Sequence, residues 1–308
     1  TRVDGLQARA LIERAIREID GAQGHWSRYG DGNYPVLLRL VASYIEQALG
    51  EPERAARYNE AAMTRARENG SPRVLVNTLA TVAEHHWQLG NFEHGRALVE
   101  ECHRLALTLG LLTYQGTAQH HLGVICALQA HWPSALIHLD AATRLYDTAS
   151  QPGQVCHVLM TRPRVLAALD RFDDALQDIE TALARWRDEG DRVRITRTRL
   201  LQAEILRRRG ELPVAMAIVE DELAGPSLQR ALDEGLSPPK VLADLWRVLD
   251  AASDSRARTY LQQAMDRLAR TCARLAERED RVRVLSVPLV TRELLAAAQA
   301  VGLELPQT

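Results

Sequence analysis

The histidines are the side chains with the most evident chemical potential in this sequence, because nine of the ten lie between residues 85 and 157. Imidazole nitrogens and cysteine thiolates bind Zn²⁺ at about 2.0–2.3 Å. The spacing argues against a shared ion, since the HExxH arrangement is absent and neighbours such as His120 and His121 point about 100° apart on a helix. We therefore predict no metal and no other cofactor, and we interpret the histidines as interior or surface residues.

The cysteines offer a second candidate chemistry, nucleophilic catalysis, which requires a nucleophile hydrogen-bonded to a base. Cys102-His103 and Cys156-His157 are sequence neighbours, and neighbouring side chains on a helix do not face each other. The sequence has neither a glycine-rich phosphate loop nor a GxSxG motif. Its four cysteines form no C-x-x-C pair, which indicates reduced, mostly buried thiols. We predict that the protein is not an enzyme.

The composition narrows the class of protein. The chain has 308 residues, of which 46% are hydrophobic and 25% charged, with a net charge of −2. No uncharged apolar run reaches the length of about 18 residues that suggests a membrane span, and no secretory signal opens the chain. The near-neutral charge argues against direct nucleic-acid binding, which needs an excess of cations. These features predict a cytoplasmic protein without membrane or nucleic-acid contact.

Two features of the positive charges have a plain interpretation. Arg207-Arg208-Arg209 is a basic triplet with Glu204 and Glu211 nearby, which is typical of a solvated helix face. Lys240 is the only lysine in the chain, and we attribute this bias to a GC-rich genome. Neither feature is interpreted as functional.

Helix-breaking residues divide the chain at a fixed interval, with a period of 40 residues. The first series of turns falls at Leu49-Gly50-Glu51-Pro52, Leu89-Gly90-Asn91-Phe92, Ala130-His131-Trp132, Leu169-Asp170-Arg171-Phe172 and Arg209-Gly210-Glu211-Leu212. The second series, half a period later, falls at Gly70-Ser71-Pro72, Gly110, Ser150-Gln151-Pro152 and Gly190-Asp191. Five units in register are the signature of a repeat protein.

Apolar residues recur with helical spacing between these breakers, so each unit is predicted to be a helix–turn–helix hairpin. Two columns of small residues are expected to let the two helices approach closely. The first column consists of Ser43, Ala83, Gly123, Pro163 and Ala203, and the second of Ala55, Gly95, Ala135, Ala175 and Ala215. The bulky Trp132, Phe172 and Trp186 fall in packing columns and are interpreted as core.

The pattern resembles the tetratricopeptide (TPR) repeat, on the evidence of Gly90-Asn91-Phe92 with Gly95 and of Asp170-Arg171-Phe172 with Ala175. The unit is longer than the usual TPR of about 34 residues. In this it resembles the TPR-like sensor arrays of bacterial signal-transduction ATPases, including LuxR-type and SARP-type transcription activators. Because the sequence starts at Thr1 and has no Walker A or DNA-binding motif, we expect attached ATPase and DNA-binding domains to lie outside it.

The resemblance implies an all-α, right-handed superhelical solenoid in three parts. Residues 1–32 form an N-terminal helix and loop, residues 33–232 five TPR-like repeats, and residues 233–308 an irregular helical hairpin with a capping segment. The hairpin is expected at Val241–Leu249 and Ala257–Leu275. Pro163 should kink or shorten its helix, because proline lacks the amide donor and clashes with the preceding turn.

The resemblance also implies a binding groove, because the first helix of each TPR hairpin lines the concave face. The groove residues are then Asn77, Glu84, Trp87, Gln88, Thr117, His120, Val124, His157, Met160, Arg164, Arg197, Glu204 and Arg207. Trp87 and Met160 are expected to contact an apolar group. Arg164, Arg197 and Arg207 are expected to hold a carboxylate or phosphate of the ligand through paired hydrogen bonds.

The function that follows is that of a non-catalytic sensor domain of a bacterial regulatory protein. It would bind a protein or peptide partner, or a small-molecule inducer, in the concave groove, and binding would shift the superhelix between two conformations. One alternative is a constitutive protein–protein interaction scaffold that does not switch. A more remote alternative is a metal-dependent enzyme built on the histidines.

Overall fold

The computed structural model describes residues 2–21, 33–69, 71–233 and 239–307, and every regular element within these ranges is an α-helix. In chain order the helices are α1 (Arg2–Gly21), α2 (Tyr34–Ala48), α3 (Pro52–Asn69), α4 (Pro72–Gln88), α5 (Phe92–Thr108), α6 (Leu112–Leu128), α7 (Trp132–Thr148), α8 (Pro152–Val158), α9 (Arg162–Ala168), α10 (Phe172–Asp188), α11 (Arg192–Arg209), α12 (Leu212–Ala224), α13 (Leu228–Asp233), α14 (Lys240–Ala251), α15 (Arg256–Cys272), α16 (Arg278–Ser286) and α17 (Leu289–Ala300). The predicted loop in residues 22–32 and the breaker Gly70 lie outside the described residues.

The helices stack as consecutive hairpins. Pairs such as α4–α5 and α6–α7 pack along their length, and the second helix of one hairpin packs on the first helix of the next. The core is therefore a series of connected apolar clusters that runs through the array. The prediction of an all-α solenoid of helical hairpins is confirmed. None of the helices in the described ranges is both long and apolar enough to cross a membrane.

One left-handed residue terminates almost every helix of the array. At the end of α2, Gly50 has φ 73°, its N–H donates to the Gln47 carbonyl at 2.9 Å, and the Glu51 N–H donates to the Glu46 carbonyl at 2.8 Å. This pair of bonds is the Schellman motif, which satisfies the last helical carbonyls. The residues with positive φ in the array are Gly50, Gly90, Gly110, Ala130, Ser150, Asp170, Gly190 and Gly210. Apart from Gly70, which lies outside the described residues, these left-handed residues follow one another at intervals of twenty, as the two series of helix-breaking residues predict.

The two columns of small residues meet inside the hairpins. A Cβ atom on Gly95 would lie 3.2 Å from the Ala83 carbonyl oxygen, and one on Gly123 would lie 3.3 Å from the Ala135 carbonyl oxygen. These distances show the helix backbones in close approach, which only small side chains permit. In the α4–α5 and α6–α7 hairpins, the predicted columns therefore lie along the contact between the two helices. The four cysteines are also free and buried, as predicted.

Pro163 interrupts the first helix of the fourth repeat. That helix ends at Val158 and restarts at Arg162, so that α8 and α9 replace one long helix. The predicted break is confirmed, and it follows because the proline ring cannot continue the hydrogen-bond ladder. The break places Met160 and Thr161 in a turn on the first-helix side of the array, where the other repeats have uninterrupted helix.

The C-terminal segment, residues 274–300, returns to the beginning of the array. It follows a sixth hairpin, α14–α15, which is confirmed within three residues of its predicted bounds. The Arg274 guanidinium donates to the carbonyl oxygens of Leu49 at 3.1 Å and Gly50 at 2.7 Å. The backbone of Arg283 packs against Gly90. The segment therefore joins the last hairpin to the turns of the first two, more than 180 residues earlier in the chain.

The left-handed turns lead to a stability prediction at Ala130, which has φ 62°. A residue with a Cβ atom is strained in this conformation, whereas glycine is not, so Ala130→Gly should raise the free energy of unfolding by about 1 kcal/mol. Ala97 on the exposed face of α5 is the matched control, and Ala97→Gly should lower it by about 1 kcal/mol. Chemical denaturation measures both, and equal destabilisation by the two changes would contradict the left-handed assignment.

Candidate ligand-binding cavity

A cavity of about 310 Å³ lies on the first-helix side of the array. Four successive first helices line it, namely α6, the broken α8–α9 helix, α11 and α14, and α17 forms a further wall. Its position agrees with the predicted groove, because the first helices of the hairpins face it. The C-terminal segment adds the α17 wall, and the cavity remains partly open to solvent.

Most of the lining is apolar. The side chains of Trp132 and Met160 are accompanied by aliphatic residues of α6, α9, α11 and α17, which are Val124, Ala127, Leu128, Ala167, Ala168, Leu201, Ile205, Leu289 and Val290. A mostly apolar wall with a few polar groups is typical of small-ligand sites. Trp132 packs against an apolar core cluster, as predicted, but it is only half-buried and also lines this cavity.

On one side of the cavity, a buried carboxylate accepts hydrogen bonds from two of the arginines in the lining. Asp244 on α14 is fully buried and accepts two hydrogen bonds from the Arg164 guanidinium, one of them at 2.7 Å. Arg247 donates to the same carboxylate at 3.1 Å and to Glu293 on α17 at 2.8 Å and 2.5 Å. This network links three elements, α9, α14 and α17, through charge-assisted hydrogen bonds.

A second ion pair lies on α11. The Arg207 guanidinium donates to both oxygens of Glu204, at 2.7 Å and 3.0 Å. Burial raises the pKa of Glu204, and the hydrogen bonds from Arg207 oppose this shift. Arg164 and Arg207 therefore bind carboxylates of the protein itself. This corrects the expectation that their paired donors are open to a ligand, because each donor pair already has an internal acceptor.

Two cations of the cavity lack such a partner. Lys240, at the start of α14, and Arg208, on α11, both line the cavity, and neither makes an ion pair or hydrogen bond with the described part of the chain. Burial and, to a smaller extent, the positive charge of Arg164 lower the pKa of Lys240 to about 8, with Asp244 acting in the opposite direction. Lys240 thus remains mostly protonated at neutral pH in a site that poorly solvates its charge.

The structure brings part of the predicted groove together. Val124, Met160, Arg164, Glu204 and Arg207 line the cavity. Arg197 lines a smaller neighbouring cavity of about 170 Å³, which shares Met160, Arg164 and Lys240 with the first. The remaining predicted residues, which line neither cavity, are Asn77, Glu84, Trp87, Gln88, Thr117, His120 and His157.

Several of these remaining residues have internal partners. Trp87 is buried in an apolar cluster, edge-on to the His121 ring at 5.9 Å between centroids. This corrects its assignment as an open groove anchor, because its indole packs between the α4 and α6 helices. Glu84 accepts hydrogen bonds from Tyr44 and Gln88, and the Thr117 hydroxyl accepts one from Tyr146 at 3.1 Å.

Of the nineteen residues that line the cavity, sequence reasoning missed fourteen, and the aromatic and charged ones among these are Trp132, Arg208, Lys240, Arg247 and Glu293. Three of these five lie on α14 and α17, outside the repeat register that was used to predict the groove. The one available signal was that Lys240 is the only lysine of the chain. In the arginine triplet, Arg208 is exposed and Arg209 pairs with the exposed Asp173 and with Glu211, as expected of a solvated face. Arg207 and Arg208 also line the cavity, which the sequence interpretation did not foresee.

The histidines are dispersed and mostly desolvated. Burial lowers the pKa of His85 and His121 to about 4, and that of His86 and His120 to about 3. The rings of His86 and His94 pack edge-on at 4.3 Å. Among the described residues, no group of three or more His, Cys, Asp or Glu side chains is arranged to hold a metal ion.

No protein-family model matches the sequence, and curated proteins likewise gave no match. A signal transduction ATPase with numerous domains (STAND) from Pyrococcus horikoshii, with a tetratricopeptide repeat sensor, matches with a TM-score of 0.57 and 12% identity. The match covers 97% of this chain and 49% of that one, so this chain spans about half of that protein. This chain has the fold of a TPR-like solenoid.

Two further structures share the TPR-like fold. NprR in complex with its cognate peptide NprX has a TM-score of 0.61 and 14% identity, over 97% of this chain and 83% of that chain. A Rap protein complexed with competence and sporulation factor has a TM-score of 0.60 and 13% identity, over 94% of this chain and 80% of that chain. The predicted TPR-like array is confirmed.

The network around Asp244 leads to the second prediction. Asp244→Asn should lower the free energy of unfolding of this TPR-like solenoid by roughly 2–3 kcal/mol, because it leaves Arg164 and Arg247 without their shared anion. The cost is below that of a fully buried pair, since Arg164 retains 26% exposure. The control is Asp173→Asn, which removes an ion pair to Arg209 from a 98% exposed side chain and should have no measurable effect. Urea denaturation compares them, and an unchanged midpoint for Asp244→Asn would contradict the assigned role.

The buried histidines lead to the third prediction, on the pH dependence of stability. Because the folded-state pKa values of His85 and His121 are about 4, below the ordinary 6.5, the unfolded chain binds more protons between these values. Stability should be fully present above about pH 7 and should fall as the pH decreases from 6.5 toward 5. Each histidine contributes a slope of at most about 1.4 kcal/mol per pH unit.

Denaturation at a series of pH values measures this slope. The variants His85→Gln and His121→Gln should each reduce it, whereas His131→Gln, at an exposed position, should leave it unchanged. Equal slopes in all three variants would show that other groups cause the pH dependence.

Proposed function

We propose that this chain is a non-catalytic sensor domain of a bacterial transcription-regulating protein, and that the 310 Å³ cavity holds its regulatory ligand. The observation that carries the proposal is the wall formed by α17. This helix contributes Leu289, Val290 and Glu293 to the cavity. It belongs to the C-terminal segment that also contacts the turns at Gly50 and Gly90. Occupancy of the cavity would therefore act on the contact between the two ends of the array.

The volume and the lining support a small ligand or a few side chains of a peptide. About 310 Å³ is at the lower end of the usual range of ligand pockets, and the apolar wall with charged groups on one side fits such sites. A peptide complex is known for NprR, whose fold this chain shares. Partner proteins would be engaged by the outer surface or by attached domains.

The mechanism requires that the ligand bind one conformation more tightly than another. The Arg247–Glu293 pair connects α14 of the last hairpin to α17, and the Arg164–Asp244 pair connects α9 to α14. A ligand between these elements would favour one arrangement of α17 on the array. The effect would reach the first hairpins through Arg274 and Arg283, which contact their turns.

The fourth prediction tests whether the cavity binds ligands. In a screen of a small-fragment library by ligand-observed NMR, a set of fragments should bind the wild-type protein and lose binding in Ala168→Phe, because the phenyl ring occupies the cavity. Ala97→Phe, on the exposed face of α5, is the matched control and should retain binding. Fragments that bind both variants equally lie elsewhere, and a screen without cavity-dependent fragments would overturn the proposal.

Hydrogen exchange then separates a sensor from a constitutive scaffold. Cavity-dependent fragments should slow the exchange of amides in α16 and α17, and also in the turns at Gly50 and Gly90. Binding without any change in these segments would favour a scaffold that does not switch.

A further inference from the structure

The charges that line the cavity do not cancel. Five cationic side chains face it, namely Arg164, Arg207, Arg208, Lys240 and Arg247. The carboxylates within reach are Glu204 and Glu293 in the wall and Asp244 behind it. Two positive charges therefore remain in excess: one on Lys240, which is partly buried, and one on Arg208, which is exposed to solvent. Of these two, the charge on Lys240 is the one that is costly to leave without a counter-charge.

The excess can be assigned to particular residues. Arg207 is paired with Glu204, and Arg164 and Arg247 share Asp244, with Glu293 also on Arg247. Lys240 and Arg208 remain, and no carboxylate of the described chain contacts either of them. Asp244 is near enough to raise the pKa of Lys240, but the two form no ion pair, and its two oxygens accept three hydrogen bonds from the arginines. An anion from outside the protein would supply the counter-charge for these two cations.

The rest of the wall determines the remainder of the ligand. Trp132, Met160 and the aliphatic side chains of α6, α9 and α11 present an apolar surface beside these cations. A free inorganic anion would leave that surface without a contact, and a neutral apolar molecule would leave the partly buried Lys240 without an added counter-charge. A molecule with both parts satisfies the two requirements together.

We propose that the ligand is a small amphipathic anion whose apolar body fills the cavity and whose head group pairs with Lys240 and Arg208. This inference rests on the proposed function, because it names the ligand class of the same cavity. A phosphate monoester is preferred over a carboxylate, since its charge of about −1.5 to −2 at neutral pH better matches the two excess cations. Arg208 offers a fork of donors and Lys240 a compact charge, and both groups suit phosphate oxygens.

The test uses four probes with the same eight-carbon tail, which are octyl phosphate, octanoate, octanol and octylamine. Calorimetry or ligand-observed NMR should rank their affinities in that order, with octyl phosphate at least about tenfold tighter than octanol. A tenfold difference corresponds to about 1.4 kcal/mol. Added salt should weaken the two anions and leave octanol unchanged, because salt screens only the charged contacts.

Variants locate the head group. Lys240→Met and Arg208→Met should each weaken octyl phosphate about tenfold and leave octanol unchanged. Arg187→Met removes a cation from an exposed position on α10 and should have no effect on any probe. Circular dichroism and thermal melting confirm that each variant is folded, which is expected because neither Lys240 nor Arg208 makes an internal hydrogen bond.

The outcomes separate this inference from the proposed function. If all four probes bind equally and lose binding in Ala168→Phe, the cavity is a ligand site without anion selectivity, and the inference is overturned while the proposed function stands. If the anions bind tightly but Ala168→Phe and Lys240→Met do not weaken them, they bind elsewhere, and the inference also fails. The proposed function fails separately if the fragment screen finds no cavity-dependent binder.

Discussion

The left-handed residue at the end of most helices in the array is the constraint on which the rest of the structure depends. It stops the helix, satisfies the last carbonyls through the Schellman bonds and reverses the chain, and it recurs at twenty-residue intervals. Equal helix lengths bring the small residues of neighbouring helices into register, so that Gly95 meets Ala83 and Gly123 meets Ala135. A single hairpin cannot cover its own apolar face, and stacking of equal units provides the cover.

The cavity arises where this regularity is interrupted. Pro163 breaks the first helix of the fourth repeat, and the C-terminal segment then folds back across the first-helix side of the array. The same two interruptions bring the charged side chains together, because Asp244 and Arg247 on α14 contact Arg164 on α9 and Glu293 on α17. The regular part of the array thus supplies the apolar wall, while the irregular parts supply the enclosure and most of the charged groups.

The contacts of the C-terminal segment join the last part of the array to its first two hairpins. In an open solenoid, each repeat contacts only its neighbours, and a ligand at one place affects only nearby repeats. Here Arg274 and Arg283 connect the last elements to the first two hairpins, and α17, which lines the cavity, packs on α14, α15 and α16. In this arrangement a small ligand can shift the conformation of the whole array, provided that its affinity differs between conformations.

The sequence by itself determined the features that depend on local chemistry. The turns, the hairpins, the small-residue columns, the break at Pro163 and the sixth hairpin all follow from residue types at fixed spacing, because helix termination and amphipathicity are local properties. Five of the predicted groove residues also line the cavity, since they share the register of the first helices. Only the tertiary structure decided which charges are free. Arg164 is neutralised by Asp244, eighty residues later, while Trp87 is buried and Lys240 is left without an ion pair. These outcomes depend on how distant segments pack, and a periodic sequence pattern contains no information about such contacts.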